Sequence, residues 1–316
     1  MNAGSSAYQT KSAVLFIIFN RPGVTGQVFD KIKEARPPRL YIAADGARSN
    51  HDGETALCRE TREVVGKIDW LCDVKTLFRT DNLGCKEAVS SAVTWFFQQE
   101  EEGIILEDDC LPANSFFEFC DELLELYRYD TRIRHITGCN LQQGKKWGAA
   151  SYYFSNITHI WGWAGWRRVW KDYDKNLSRY SESEVKHQLE NVFGHTMVVE
   201  AWVEIFKWVK AGEIDTWDYQ YGFLNYFNNS LCIIPNQNLI SNIGFGVSST
   251  NTHNATDPNA AIPLEEMGSL THPLYFLPEK QADFCTIDRD FNIAKRVERY
   301  NRPNRKLKRW FKSVFK

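Results

Sequence analysis

The 316-residue chain contains no CxxC pair, no Cys/His spacing suited to zinc, no internal repeat, and no glycine-rich phosphate loop of the GxGxxG or P-loop kind. These absences exclude zinc modules, repeat architectures and the common nucleotide-binding loops. Long hydrophobic runs are missing as well. The N-terminal segment 1–12 is polar, and the apolar run that follows, 13–19, is too short to span a bilayer or act as a signal sequence. The chain as given is therefore expected to be neither secreted nor membrane-spanning. Its eight cysteines, at 58, 72, 85, 110, 120, 139, 232 and 285, are scattered and read as the reduced thiols of a cytoplasmic protein.

Aromatic residues are plentiful, at 14%, and the tryptophans cluster in the second half. Rings of this kind fill cores, and they also stack on bases and sugars. Charge is divided unevenly. Residues 301–316 hold seven Lys or Arg and no acid, which leaves 31 basic against 40 acidic residues in the remainder. A basic tail thus follows an acidic body. In that tail Leu307, Trp310, Phe311, Val314 and Phe315 recur three and four residues apart among Lys306, Lys308, Arg309, Lys312 and Lys316. Such a helix suits peripheral contact with an anionic membrane, on the inner face of the cell membrane for a cytoplasmic protein; the other reading is a helix packed on the catalytic domain or a frayed terminus.

The most informative stretch is Ile104-Ile-Leu-Glu-Asp-Asp-Cys110. An apolar strand runs directly into Glu107, Asp108 and Asp109, and three adjacent anions repel unless a cation or several donors neutralise them. A divalent metal is the simplest neutraliser. All-oxygen ligation favours Mn²⁺ or Mg²⁺, hard ions that also bind substrate phosphates. The plainer reading is a solvated acidic turn ahead of a helix.

Around this stretch strands alternate with helices. Strands are expected at 13–19, 39–44, 73–78, 104–106, 132–137 and 232–235, and helices at 24–35, 54–68, 85–100, from 115 to about 127, 196–211 and 215–227. Segment 138–154 reads as loop, segment 160–166 as a loop leading into a short helix, and 236–261 as a long polar loop able to move. Parallel strands need crossovers, which helices supply, so the expected class is α/β with a mostly parallel, helix-flanked sheet.

With these residues in place, the chain resembles nucleotide-sugar glycosyltransferases of the GT-A fold, the N-acetylglucosaminyltransferase I type and related bacterial proteins. The resemblance rests on Leu106-Glu-Asp-Asp-Cys-Leu-Pro-Ala-Asn-Ser-Phe-Phe-Glu118, Asn20-Arg21 after the first strand, Asp45 after the second, Asn82-Leu-Gly-Cys-Lys86 and Trp161-Gly-Trp-Ala-Gly-Trp166. It covers roughly residues 13 to 255. It implies a catalytic domain over 13–300, divided into a nucleotide-sugar half, 13–137, and an acceptor half, 138–300, with the tail 301–316 outside. It further implies that Asp109 binds Mn²⁺ (or Mg²⁺), that Glu107 and Asp108 reach the sugar and ribose of the donor, that Phe19, Asn20, Arg21 and Asp45 hold the nucleoside, and that Lys86 lies near the base or phosphates. Arg21 reads equally as a surface residue beside Pro22.

Inverting transfer also needs a carboxylate to take the acceptor proton. Asp218, in Asp215-Thr-Trp-Asp-Tyr-Gln220, is the candidate because it begins a helix among rings. Asp215 competes, although its position is that of a helix N-cap, and a purely structural role for both is the third reading. His253 follows a glycine-containing loop and is either a late ligand of the metal or diphosphate, as in other members of the fold, or a solvated loop histidine. The Trp161–Trp166 segment, with Gly162 and Gly165, is expected to face donor or acceptor, with at least one Trp in the core.

The expected function is an inverting, metal-dependent glycosyltransferase. Its donor is a UDP-sugar, UDP-N-acetylglucosamine being one candidate, and its acceptor a saccharide or lipid-linked saccharide of bacterial surface glycan synthesis. Nucleic acid is not an expected partner. The alternatives are a sugar nucleotidyltransferase and a non-catalytic carbohydrate-binding protein. Nucleotidyltransferases usually begin with a glycine-rich basic loop, which Asn20-Arg-Pro-Gly23 does not resemble, and sugar binding alone leaves the three carboxylates unexplained.

Overall fold

The computed structural model describes residues 8–245 and 257–301. At its centre lies β1 (Val14–Ile18), a run of apolar residues almost wholly buried, as expected of a strand covered on both faces. β2 (Arg39–Ala44) and β4 (Glu102–Glu107) flank it in parallel, so that Val14 lies beside Leu40 on one side and Ile104 on the other. β3 (Asp73–Phe78) forms the edge next to β2 and is the more exposed and more polar strand. The crossovers are α1 (Pro22–Ala35), α2 (Glu54–Val64) and α3 (Cys85–Gln99). Pro22 occupies the first helical position of α1, where its missing N–H costs nothing. The helix therefore begins two residues before the 24–35 expected from the sequence.

Beyond the acids come β5 (Cys110–Pro112), α4 (Ser115–Leu126), β6 (Ile133–Thr137), β7 (Tyr152–Ser155), β8 (Trp163–Trp166) and the single turn α5 (Arg167–Trp170). They are followed by α6 (Glu182–Phe193), α7 (Thr196–Ala211), α8 (Asp218–Phe227), β9 (Leu231–Pro235), β10 (Ile240–Asn242), α9 (Lys280–Phe291) and α10 (Ile293–Asn301). Eight strands form one sheet in the order β3-β2-β1-β4-β8-β6-β9-β7. Only β7 and β8 run against the rest. This is the α/β, mostly parallel sheet flanked by helices that the sequence led us to expect. A second hydrophobic cluster joins Leu189, Val198, Trp202, Phe206 and Phe223 of α6, α7 and α8.

Three expectations are corrected. The tryptophan segment is not a ligand-facing loop over most of its length. Its second part is β8, inserted antiparallel between β4 and β6 with Trp163 beside Ile105 and Gly165 beside Gly103. Because strand side chains alternate, Trp163 packs against Phe97, Trp170 and Trp217 on one face, while the Trp166 indole donates to the Leu124 carbonyl on the other. Both are buried. Segment 138–154 ends in β7, paired with β9, so it too is only partly loop. Finally, the beginning of 236–261 is fixed. The Asn236 amide donates to the Trp147 and Ala150 carbonyls at 2.8 and 2.9 Å, Asn238 accepts from the Asn140 N–H at 2.9 Å, and β10 pairs with β5. Side-chain amides take the backbone's hydrogen bonds here, and this local arrangement leaves no periodic signal.

Candidate functional site

Strands β1, β2 and β4 are parallel neighbours, so their carboxyl ends meet along one edge. Ile17 of β1 lies beside Glu107 of β4, and that register brings the residues after β1 alongside the acids. Arg21 sits at the N-cap of α1, and its guanidinium reaches both aspartates. Nε lies 3.2 Å from Asp108 Oδ2, Nη2 lies 3.0 Å from Asp109 Oδ2, and Nη2 also donates to Asp108 Oδ1. The Arg21, Asp108 and Asp109 side chains are 17%, 6% and 13% exposed, so these pairs are largely shielded from water. Arg21 is therefore not a surface residue. It is the cation that answers the repulsion among the acids.

The electrostatics follow from burial. Burial works against the Arg21 charge, but Asp108 and Asp109 outweigh it and hold the guanidinium above its usual range. Burial and, secondarily, Asp109 and Asp108 push the Glu107 carboxyl up to about 8. Asp108 rises to about 6, burial and Asp109 working against Arg21 and a hydrogen bond from the Phe19 backbone. Glu107 Oε1 is buried with no hydrogen-bond partner among the described residues. One Arg thus neutralises two acids and leaves the third uncompensated.

Asp109 is enclosed by the two-stranded sheet. The Asn242 amide donates to Asp109 Oδ1 at 3.4 Å, and the Ile243 N–H donates to the Asp109 carbonyl at 2.9 Å. Gly244 lies so close that a Cβ there would fall 2.1 Å from Asp109 Oδ2 and 2.6 Å from Arg21 Nη1. Only a residue without a side chain fits.

The remaining donor-side candidates gather around the same edge. The Asn20 amide donates to Glu54 at 2.8 Å, and Glu54 also holds Arg48, whose guanidinium stands 5.6 Å from the centre of the Phe19 ring. Asp45 accepts from the Asn82 amide at 2.9 Å and from the Leu83 N–H at 3.0 Å. It joins the end of β2 to the loop after β3, and burial raises its pKa despite those donors. Lys86 stands in the first turn of α3, its ammonium 3.2 Å from Asn176 Oδ1.

Asp218 is the first residue of α8 and accepts hydrogen bonds from the Thr216 hydroxyl and, at 2.9 Å, from the Tyr219 N–H, both on Oδ1. Burial raises its pKa. Asp218 lies three residues beyond Asp215, whose carboxylate accepts from the first N–H groups of α3, so the start of α8 stands at the same end of the sheet as the acids. Asp215 does not cap its own helix. Its carboxylate accepts from the N–H groups of Cys85 and Lys86 and caps α3 from outside. Trp161 precedes β8 and, by extension of the register, lies at the level of Glu107. Its ring meets Phe245 edge-on at 5.7 Å. His253 lies outside the described residues. Sequence reading missed Asn242 and Glu54 and took Gly244 only as a glycine of the movable loop before His253, because nothing in the chain announces which distant backbone will close over Asp109.

Among the described residues no three His, Cys, Asp or Glu side chains converge as a ready-made metal cage. The donor set nevertheless fits a hard cation. Asp108 and Asp109 present carboxylate oxygens to a common point held by the Arg21 guanidinium, and Glu107, next in the chain, has a buried oxygen without a partner among the described residues. Mg²⁺ is ordinarily held by one or two carboxylates together with substrate phosphates.

No family model matches this chain, and no curated protein matches it. Among solved structures it is similar to a UDP-glucose pyrophosphorylase complexed with UDP-glucose, at 12% identity and TM-score 0.31, over 52% of this chain and 81% of the other. An apo UDP-glucose pyrophosphorylase matches at 10% identity and TM-score 0.34, over 70% of this chain and 90% of the other. HddC from Yersinia pseudotuberculosis matches at 9% identity and TM-score 0.32, over 51% and 80%. At such scores these likenesses carry no argument about chemistry. Among the described residues no helix is long and apolar enough to cross a membrane.

Proposed function

We propose that the chain is an enzyme acting on a nucleotide-sugar, and that its reaction is inverting glycosyl transfer from a UDP-sugar to a saccharide acceptor. The observation that carries this reading is the convergence of Asp108 and Asp109 on one guanidinium nitrogen, Arg21 Nη2, at the carboxyl end of β4, with Asp45 after β2 and the starts of α3 and α8, which carry Lys86 and Asp218, at the same end of the sheet. Ligands of open α/β sheets bind at that edge.

In this reading the residues after β1 and Asp45 hold the nucleoside, and Asp109, with Asp108 beside it, holds Mn²⁺ or Mg²⁺. The metal supplies charge stabilisation for the departing diphosphate. Asp218 takes the proton of the acceptor hydroxyl as its oxygen bonds to the anomeric carbon and the bond from that carbon to the diphosphate breaks. Oδ2 is the oxygen suited to this task, since the bonds from Thr216 and Tyr219 end on Oδ1. The acceptor is a saccharide, free or lipid-linked, and the basic tail is available to hold the enzyme at an anionic membrane.

A second reading is nucleotidyl transfer, in which a sugar phosphate attacks a nucleoside triphosphate and pyrophosphate leaves. The same acids and metal would serve it, and the solved structures similar to this chain bear the names of such enzymes. Against it stands the direct passage from β1 through Asn20 and Arg21 into α1, with no glycine-rich basic loop. One assay separates the two. Incubation of the chain and Mn²⁺ with a panel of UDP-sugars should release UDP in the glycosyltransferase reading. Release of pyrophosphate from UTP and a sugar 1-phosphate, without UDP release from any UDP-sugar, would favour nucleotidyl transfer.

A further inference from the structure

The place between Asp108 and Asp109 is taken by Arg21. Its Nη2 stands 3.0 Å from Asp109 Oδ2 while its Nε stands 3.2 Å from Asp108 Oδ2. A divalent cation bound to the same oxygens would meet the guanidinium at close range, and two cations at that separation in a shielded site repel strongly. Nor can Arg21 yield a little in every direction. On the Gly244 side a Cβ would fall 2.1 Å from Asp109 Oδ2 and 2.6 Å from Arg21 Nη1, so there is no free space there even for a methyl group. Metal and guanidinium are alternatives at this position.

Moving Arg21 off two carboxylates requires another anion to receive it. A guanidinium fork matches phosphate as well as carboxylate and binds either through paired N–H groups. Arg21 lies at the N-terminus of α1, where backbone N–H groups and the helix dipole also favour an anion. The diphosphate of a nucleotide-sugar, arriving at the edge that carries Asp45 and Lys86, is such an anion.

We infer that Arg21 is an exchange residue that makes divalent-cation binding depend on the nucleotide diphosphate: it occupies Asp108 and Asp109 in the free protein and transfers to the diphosphate when donor binds, releasing the carboxylates to the metal. This rests on the metal-dependent nucleotide-sugar reading and adds an order to it. The free protein carries its own cation, so it has no need of resident metal. Each ligand then strengthens the other, as coupled sites must do reciprocally.

The test is Mn²⁺ uptake, read from the paramagnetic resonance signal of free Mn²⁺, with and without UDP, and corrected for the Mn²⁺ that UDP binds alone. Wild-type protein should take up Mn²⁺ weakly by itself and about tenfold more tightly with UDP, within the ordinary range of coupling between sites. Arg21→Met should bind Mn²⁺ alone about tenfold more tightly than wild type and lose most of the UDP dependence. Arg21→Lys keeps the charge without the fork. It should still exclude the metal when UDP is absent, and its coupling should fall by at least about threefold. Thermal melts of both variants verify folding, and Arg21→Lys decides the matter if Arg21→Met does not fold.

A folded Arg21→Met that binds Mn²⁺ no more tightly than wild type, while UDP still recruits the ion to both, would overturn the exchange and leave the proposed function standing. Coupling in Arg21→Lys equal to wild type would do the same. Absence of Mn²⁺ uptake by any of these proteins even with UDP would overturn the exchange together with the metal-dependent reading beneath it.

Discussion

Asp215, in the second half of the chain, caps a helix in the first half: its Oδ2 lies 3.0 Å from the Cys85 N–H and its Oδ1 3.1 Å from the Lys86 N–H. The contact is possible because Gly84, at φ +79°, has no side chain to occupy the 2.8 Å that separates a Cβ position from Asp215 Oδ2. A carboxylate on free helix N–H groups is favourable both as a cap and against the helix dipole. It also ties Lys86 to the segment that leads into α8 and Asp218. Asp215 is thereby committed to structure, which counts against its use as a base.

Asp215→Ala should cost about 1 kcal/mol of stability, the usual worth of a cap, and should leave turnover at saturating substrate within a few-fold of wild type. Urea melts together with initial rates measure both. A fall in turnover of about 10² with unchanged stability would return Asp215 to the list of bases.

Asp218→Asn should retain Mn²⁺-dependent UDP binding and slow turnover by about 10² or more, the ordinary contribution of a general base. The Thr216 and Tyr219 donors have an oxygen to bind in either residue, so the start of α8 is retained. Calorimetric UDP binding beside steady-state rates separates the two effects. Weakened UDP binding with unaltered turnover would place Asp218 on the donor instead.

Gly244→Ala would force a Cβ to within 2.1 Å of Asp109 Oδ2 and 2.6 Å of Arg21 Nη1. Backbone and carboxylate must both shift, so UDP and Mn²⁺ binding should weaken by about tenfold or more, as for a displaced ligand set. Gly23→Ala is the control, since a Cβ there meets nothing within 4 Å. Equal UDP affinity in the two variants would show that the close approach over Asp109 is not needed.

How much of this site was readable in the chain depended on whether its parts are local. β3 and α7 coincide with the segments expected for them, because an apolar or alternating run has a period that survives without its neighbours. Glu107, Asp108 and Asp109 were conspicuous for the same reason: three charges ending an apolar strand form a local anomaly. What answers those charges was not legible. Arg21 is 87 residues from Asp108 and Asn242 is 133 from Asp109, and only the sheet register and the β5–β10 pairing bring them together. β8 carries no strand signal of its own, since Trp, Gly and Ala in alternation lack the usual β-branched signature, and its strand state is imposed by β4 and β6 on either side. Asp215 was read as the cap of its own helix, since sequence proximity is the only guide when the distant helix start is unseen.

Stability should also report the buried histidines. Burial lowers the pKa of His159 to about 3, and its Nε2 has no hydrogen-bond partner among the described residues. The folded state then binds fewer protons than the unfolded state between that value and the unfolded value of about 6.5, so this contribution to stability is lost as pH falls through the window. Replacing His159 by Gln removes the group that titrates. Relative to wild type, His159→Gln should therefore gain about 2 kcal/mol in urea-melt stability between pH 7 and pH 5. A difference independent of pH would mean that His159 is solvated or paired in solution.

The central claim, that Asp109 holds a metal through which the chain engages a nucleotide diphosphate, is tested most directly by calorimetric titration of UDP into wild type and Asp109→Ala, each with and without Mn²⁺. Arg21 keeps Asp108 as a partner in the variant, and one of three mutually repelling carboxylates is removed, so the variant should fold. UDP should bind wild type at least about tenfold more tightly with Mn²⁺, and Mn²⁺ should make no difference to the variant. UDP binding to wild type that is indifferent to Mn²⁺, or a variant that keeps the full metal dependence, would contradict it.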